Sequence, residues 1–547
     1  MFASLAAMSI SAAAHSQTLA PVPRNLAPGY ETIREDTLRA DLTFLASDAL
    51  QGRMSLQTGD ETAIQWIASE FAKDGLQPAA NGSYLQPVPL IEYRPDRTQN
   101  SVSLTRGGNE TQWKFPEVLG GYRKDTDITA DVVFAGFGIT APELGYDDYA
   151  SIDPSGKIVL LFDHEPQEAD ANSIFNGTGN TRYATTRVKV LNAQAHGAVG
   201  VLIVAEPNRK HPSNQERIAR IGGSAIRSTP LPAQALADDE LHIPSAIVSD
   251  AAAKEFLATA GATPSDLQVT IDRDLKPQSR SLPDTRATIH FRNASVTTGT
   301  SYNVVGLLEG GDAKLKSETI LISGHHDHDG MSGSEIWHGA DDNGSGSVGV
   351  VALAHAFAAN AKAKNGLPPK RSILFVVFAA EERGLLGAFY LAAHPLRPLD
   401  TTRAMINFDM IGRNEMPSDQ TKGLLEIPAD TTNRLNLIGA LYSPDYNRTV
   451  VEQNKHVGLE LDDRFDHESA LNVFFRSDQF PFVLKNIPAF WWFTGFHPDY
   501  HHTTDTADKI NFVKMAKILR LAYLTSYQFA GEPAPPRFVA SPGAKSR

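Results

Sequence analysis

The sequence predicts an α/β protein, a doubly wound and mainly parallel sheet whose chain is interrupted by an inserted β-rich domain. The first observation is a set of unbroken apolar runs between Asn303 and Ile510, of which Ser372–Phe378 is the clearest. A strand buried on both faces needs such a run, whereas a half-exposed strand alternates. The second is that stretches of helical composition, such as Gly346–Ala363, separate these runs. The third is a change of texture from about Asp131 to Gly261, where short apolar runs are bounded by Gly, Pro and Asp.

In chain order, Leu38, Leu42 and Leu45 recur at helical spacing, and Ile64, Ile67, Ala68 and Phe71 line one face of a second helix stopped by Gly75. Val132–Phe134, Lys157–Leu161, Val201–Val204 and Ile243–Val248 read as strands of the insert. Its histidines, His164, His196, His211 and His242, are scattered without ligand spacing. Lys276–Arg286 reads as the linker returning to the α/β pattern, in which Thr319–Ile322, Ala404–Phe408 and Ala489–Phe493 are further strands. The expected division is a signal peptide at 1–16, a first part of the main domain at 17–125, the insert at 126–272, the rest of the main domain at 273–531 and a tail at 532–547.

At 547 residues the chain exceeds one compact domain. A formal charge of -13 argues against a phosphate-neutralising surface, so no nucleic-acid partner is expected. With no cysteine, any metal must sit on His, Asp and Glu. Met1–Ala14 is small and apolar, and Ala14-His15-Ser16 offers a small-x-small cleavage site, although basic residues before it are missing. Export to the periplasm or medium is therefore expected. No later stretch has the roughly 18 apolar residues of a membrane span.

The chemistry gathers at the strand ends. Gly324-His325-His326-Asp327-His328, Ala380-Glu381-Glu382-Arg383 and Asn407-Phe408-Asp409 each close a strand, Gly339-Ala340-Asp341-Asp342-Asn343-Gly344 precedes a helix, and His497 to His502 follows the aromatic strand. Open α/β sheets bind ligands beyond the carboxyl ends of their strands, so these segments converge on one rim. Singly, an Asp-Asp-Asn-Gly is a turn and a Glu pair is a helix start; together they predict a metal site. His325 and Asp327, two residues apart, face the same side in extended backbone, so one can ligate while the other holds its ring. Of the adjacent Glu381 and Glu382, one can ligate while its neighbour takes a proton from water.

These motifs resemble those of the M28 family of zinc peptidases: Gly-His325-His-Asp327-His, Gly-Ala-Asp341-Asp-Asn-Gly-Ser-Gly, Ala-Glu381-Glu382-Arg-Gly-Leu-Leu-Gly, Asn-Phe-Asp409-Met-Ile-Gly-Arg and Asp-Tyr-His501-x-x-x-Asp505. Asp131–Gly261 resembles a protease-associated domain, and Leu-Ala-Ser-Asp-Ala-Leu-Gln-Gly-Arg53 resembles the start of such enzymes. The resemblance implies a zinc-peptidase fold and two zinc ions, one on His325 and Asp409, the other on Glu382 and His501, with Asp341 bridging. It implies Glu381 as general base, Asp327 as partner of His325, and Asp342 following a strained peptide bond. His502 competes with His501 as last ligand, and the gap to Asp505 favours His501. In Arg476-Ser477-Asp478-Gln479, Gln stands where the family commonly has His. The implied activity is removal of N-terminal residues from peptides. A carboxypeptidase or glutaminyl-cyclase-like enzyme is the alternative on this scaffold, and a non-catalytic receptor is the rival outside enzymes.

Overall fold

The computed structural model describes residues 19–213, 216 and 227–540, so the expected signal segment, 1–16, lies outside the described residues. Among the described residues, no helix is long and apolar enough to cross a membrane.

Two large sheets organise the chain. The main one has ten strands, and its centre runs parallel: Ser372–Phe378, Thr319–His325, Thr402–Phe408 and Ala489–Phe493 lie side by side. Every residue of Ser372–Phe378, Thr319–His325 and Ala489–Phe493 is buried, as unbroken apolar runs require. Towards its edges the sheet becomes antiparallel, through Asn293–Leu308 and Leu85–Pro95 on one side and Arg434–Ile438 on the other. The sheet is thus mixed: its middle is parallel, and beyond the antiparallel Arg434–Ile438 the last strand, Glu460–Asp462, pairs parallel to it.

One face is covered by Glu35–Leu45, Thr58–Asp74, Gly346–Lys362 and Phe512–Gly531, whose apolar side chains form one core with Ile320, Phe375 and Ile406. Thr58–Asp74 ends at Gly75 in the left-handed conformation, with φ 76°, as the sequence predicts. The opposite face packs Leu386–Ala393 and the segment Leu471–Val483 against Leu321, Val376 and Met405.

The second sheet has eight strands and runs from Ser101 to Phe291, wider than the span 126–272 read from the sequence. The difference has a simple cause. Arg280–Phe291, which overlaps the expected linker, is a strand pairing with both Ser101–Arg106 and Thr126–Phe134. Its alternating burial hides it from a search for solid apolar runs. The insert also reaches back to the main sheet, where Ala233–Leu236 pairs with Leu85–Pro95 as an edge strand.

Candidate active site

Parallel pairing sets the strand ends level. His325 lies opposite Phe378, Ser323 opposite Asn407, and Phe408 opposite Trp492. The residues after each strand therefore emerge on one rim. The chain leaves two of these strands through strained backbone, with Ala380 and Met410 at φ 53° and 57°, and His501, further along the rim, has φ 56°. Each such non-glycine residue costs on the order of 1–2 kcal/mol, and strain of this kind concentrates at functional sites.

The rim assembles two overlapping clusters. In the first, His325 Nε2 lies 3.6 Å from Asp342 Oδ1, 3.6 Å from Asp409 Oδ1 and 3.8 Å from Glu381 Oε2. In the second, His501 Nε2 lies 3.0 Å from Asp342 Oδ2 and 3.4 Å from Glu382 Oε2. His328 Nδ1 joins the second cluster at 2.6 Å from Glu382 Oε1. Asp342 thus presents one oxygen to each cluster.

Of the residues predicted from sequence, His325, Glu381, Glu382, Asp409 and His501 meet here. Asp341 does not. Its Oδ1 accepts the backbone N–H of Gly412 at 2.6 Å, and its Oδ2 faces His497 Nε2 at 3.2 Å, on the far side of the turn. Asp342 takes the place between the two clusters, and the neighbouring cis peptide, Asp342–Asn343, follows this residue instead of preceding it. Adjacent acids in a turn project in different directions, and sequence carries no sign of which faces the rim. Asp505 sets that choice by accepting the backbone N–H groups of both Asp341, at 2.9 Å, and Asp342, at 3.1 Å.

Asp327 also differs from its expected part. Its carboxylate stands 3.8 Å from His325 Nδ1, and the nearer acceptor is its own backbone carbonyl, at 3.2 Å. The carboxylate instead accepts the N–H groups of Glu381, at 2.9 Å, and Glu382, at 3.3 Å, and so holds the glutamate turn. Residues that the sequence reading passed over complete the support. Asp329 lies 3.2 Å from His501 Nδ1 and accepts from Arg383, Ser477 donates to Asp409 Oδ2 at 2.6 Å, and His328 packs against Glu382. The run of His and Asp from His325 to Asp329 was the available signal.

Arg53 carries the N-terminal motif into the site. Fully buried, it donates to the carbonyls of Leu45, His326, His338 and Gly339 at 2.6–2.9 Å, tying two rim loops to the first helices. Gly52 beside it has φ 70°, and a Cβ there would stand 2.4 Å from the Trp337 carbonyl oxygen.

The site is buried and rich in carboxylate, and the titrations reflect both. Burial, with the charges of Asp409, Asp478 and Glu382, holds the Glu381 carboxyl well above the usual range despite His325 nearby. Burial likewise raises Glu382 and Asp409, offset in part by His501 and His325. His328 is pushed down to about 3 by burial, which leaves a neutral imidazole. Among the described residues, His325 Nε2, His328 Nε2 and Asp409 Oδ1 are buried without a hydrogen-bond partner. Orphaned lone pairs converging with carboxylates are the donor set that divalent ions take.

A cavity of about 680 Å³ opens from Glu381 and Glu382 between the two domains. The insert contributes Tyr122, Arg123 and Arg187 to its wall, and the main domain Phe389, Phe475 and Phe480. Trp491 and Trp492 are strand core: Trp491 Nε1 donates to the Asp409 carbonyl at 2.8 Å, and Trp492 packs beneath the sheet.

A parallel-centred α/β sheet with histidines and carboxylates gathered at its carboxyl rim, under an inserted β domain, defines the architecture of a hydrolase with a metal-type site. Residues 303–525 match the model of peptidase family M28 and residues 128–256 that of the PA domain, so the chain carries an M28 peptidase segment preceded by a PA-domain segment. It is similar to leucine aminopeptidase 2 of Arthroderma otae, 27% identical over 240 residues that cover 39% of this chain and 41% of that protein. It is also similar to leupeptin-inactivating enzyme 1 of Streptomyces exfoliatus, 28% identical over 211 residues, 38% of this chain and 39% of that one. The matched region thus spans about two fifths of the length of these curated relatives. Among solved structures, an aminopeptidase from Aneurinibacillus sp. strain AM-1 aligns over 94% of this chain and 97% of its own, at 20% identity and a TM-score of 0.49. A zinc aminopeptidase from Bacillus subtilis aligns over 93% and 96%, at 18% identity and a TM-score of 0.41.

Proposed function

We propose that the protein is an exported aminopeptidase that removes N-terminal residues from peptides with the help of two divalent ions, zinc in the first instance. The observation that carries this reading is Asp342, whose two oxygens face His325 in one cluster and His501 in the other. One ion would be held by His325 and Asp409, the second by Glu382 and His501, with Asp342 shared. Three carboxylates and two neutral imidazoles, with orphaned buried acceptors among them, suit such a pair. When bound, the ions polarise a carbonyl group and acidify water.

The remaining work belongs to the chain. Glu381 accepts a proton from the attacking water as the new carbon–oxygen bond forms, then delivers it to the amine nitrogen as the carbon–nitrogen bond breaks. Asp327 fixes the Glu381 backbone, so the carboxylate is presented without reorganisation. The rim carboxylates supply acceptors for the ammonium group of a peptide N-terminus, and Phe389, Phe475 and Phe480 supply apolar surface for its side chain. The names of the leucine aminopeptidase relatives support the same substrate class.

One observation favours the carboxypeptidase alternative: Arg123, Arg187, Arg383 and Arg476 also line the cavity. Arg187 and Arg383 are engaged by Asp239 and Asp329, which leaves Arg123 and Arg476 nearest to availability for a carboxylate. A pair of substrates decides between the two. Leucyl and phenylalanyl peptides with a free N-terminus should be cleaved and their N-acetylated forms should not. Comparable rates on both, or a requirement for a free C-terminus, would overturn the aminopeptidase reading.

A further inference from the structure

The inserted domain brings together two histidines that the sequence leaves 47 positions apart. His164 and Glu168 follow the strand Ile158–Phe162, while Glu206 and His211 follow its parallel neighbour Gly200–Val204. The geometry repeats that of the main rim: level strand ends converge residues that have no local spacing.

His164 Nδ1 and His211 Nε2 stand 3.2 Å apart. The Glu168 carboxylate lies 2.9 Å from the first and 2.7 Å from the second. Glu206 Oε1 lies 3.0 Å from His211 Nε2 and 3.5 Å from His164 Nδ1. Ligands on a tetrahedral zinc, at about 2.0–2.1 Å from the ion, stand roughly 3.3 Å from one another. His164 and Glu206 are each 2% exposed, and Oε1 of both Glu168 and Glu206 accepts no hydrogen bond among the described residues. His164 is also held at φ 53°, a conformation unfavourable for a side chain of its size.

We propose that His164, Glu168, Glu206 and His211 form a divalent-cation site of the zinc type in the inserted domain, separate from the peptidase rim. The tautomer agrees with it. His211 Nδ1 donates to the Pro212 carbonyl at 2.9 Å, which leaves the Nε2 lone pair of the neutral ring pointing into the cluster. Two neutral imidazoles, two carboxylates and one dication sum to zero charge.

The position suggests its use. A cavity of about 430 Å³ reaches Glu168, Glu206 and His211 and is lined also by Ser469 and Ala470 of the main domain. Nearby, Asn180 of the insert donates to Asn472 Oδ1 at 3.0 Å. An ion here would staple the two strand-end loops at the place where the insert rests on the peptidase domain.

The test uses the full chain and Zn²⁺ alone. Chelator-stripped protein is loaded with ZnCl₂, desalted and assayed for zinc per chain in the wild type, in E382Q/D409N and in H164Q/H211Q. The rim variant should keep one tightly held equivalent, and adding Glu206→Gln to it should remove that equivalent with unchanged circular dichroism. H164Q/H211Q should hold one equivalent fewer than wild type. Cobalt in E382Q/D409N should show the intense visible bands of a tetrahedral site. A rim variant that retains no zinc, or equal zinc in wild type and H164Q/H211Q, would overturn the proposal. None of these outcomes depends on peptidase activity.

Discussion

The Asp342 carboxylate lies 3.0 Å from His501 Nε2 while its other oxygen faces His325, so a single side chain joins the two halves of the rim. Asp341, one residue earlier, is spent on Gly412 and His497. Asp342→Ala should therefore abolish activity and lower zinc content. Asp341→Asn, which keeps an acceptor for Gly412, should change metal affinity by about 10- to 100-fold at most. Zinc stoichiometry and turnover of both variants check this, and a larger metal loss in Asp341→Asn would restore the assignment read from sequence.

Glu381 and Glu382 should separate cleanly. Glu381→Gln should keep its metal and lose about 10²- to 10⁴-fold in kcat, the range of a general base. Glu382→Ala should lose metal, since its oxygens face His501 and His328. Equal metal loss in both would erase the distinction.

Arg53 predicts a stability effect with a functional echo. Its guanidinium serves four buried carbonyls, and Lys has neither the fork nor the number of donors to replace it. Arg53→Lys should destabilise the fold by about 3 kcal/mol or more. Urea unfolding measures this, and a midpoint unchanged from wild type would contradict the structural part given to Arg53.

Asp466 predicts a pH dependence away from the rim. It accepts the N–H groups of Gly439 and Leu441, yet burial pushes its carboxyl up to about 7. A raised folded pKa means that its contribution is full below the unfolded value near 4 and is lost as pH rises through about 7. Relative to Asp466→Asn, the wild type should thus lose stability between pH 4 and 7, by up to roughly 4 kcal/mol. Parallel unfolding curves for the two proteins across that window would sink the prediction.

The inserted domain walls the cavity over Glu381 with Tyr122, Arg123 and Arg187. Access should favour short peptides. Digestion of a folded protein at internal bonds, as fast as that of dipeptides, would contradict it.

Much of this was legible in residue types. Solid apolar runs announced the buried parallel strands, Gly75 announced a helix end, and motifs at successive strand ends announced one rim. Strand Arg280–Phe291 was missed because, although it lies inside its sheet, its alternating burial resembles a polar linker. The part of Asp327 was half legible. Its nearness to His325 follows from spacing, but its carboxylate turns to the Glu381 and Glu382 amides, a partnership set by strand register.

The sequence by itself determined the α/β class, the chemistry available to a chain without cysteine, and the set of histidines and acids near the rim, because these depend on composition and local period. Only the tertiary structure decided between Asp341 and Asp342, and only it joined His164 to His211. The physical reason is the same in both cases. Where a side chain points after a strand ends is fixed by the backbone of a turn and by distant partners such as Asp505, and neither leaves a trace in spacing along the chain.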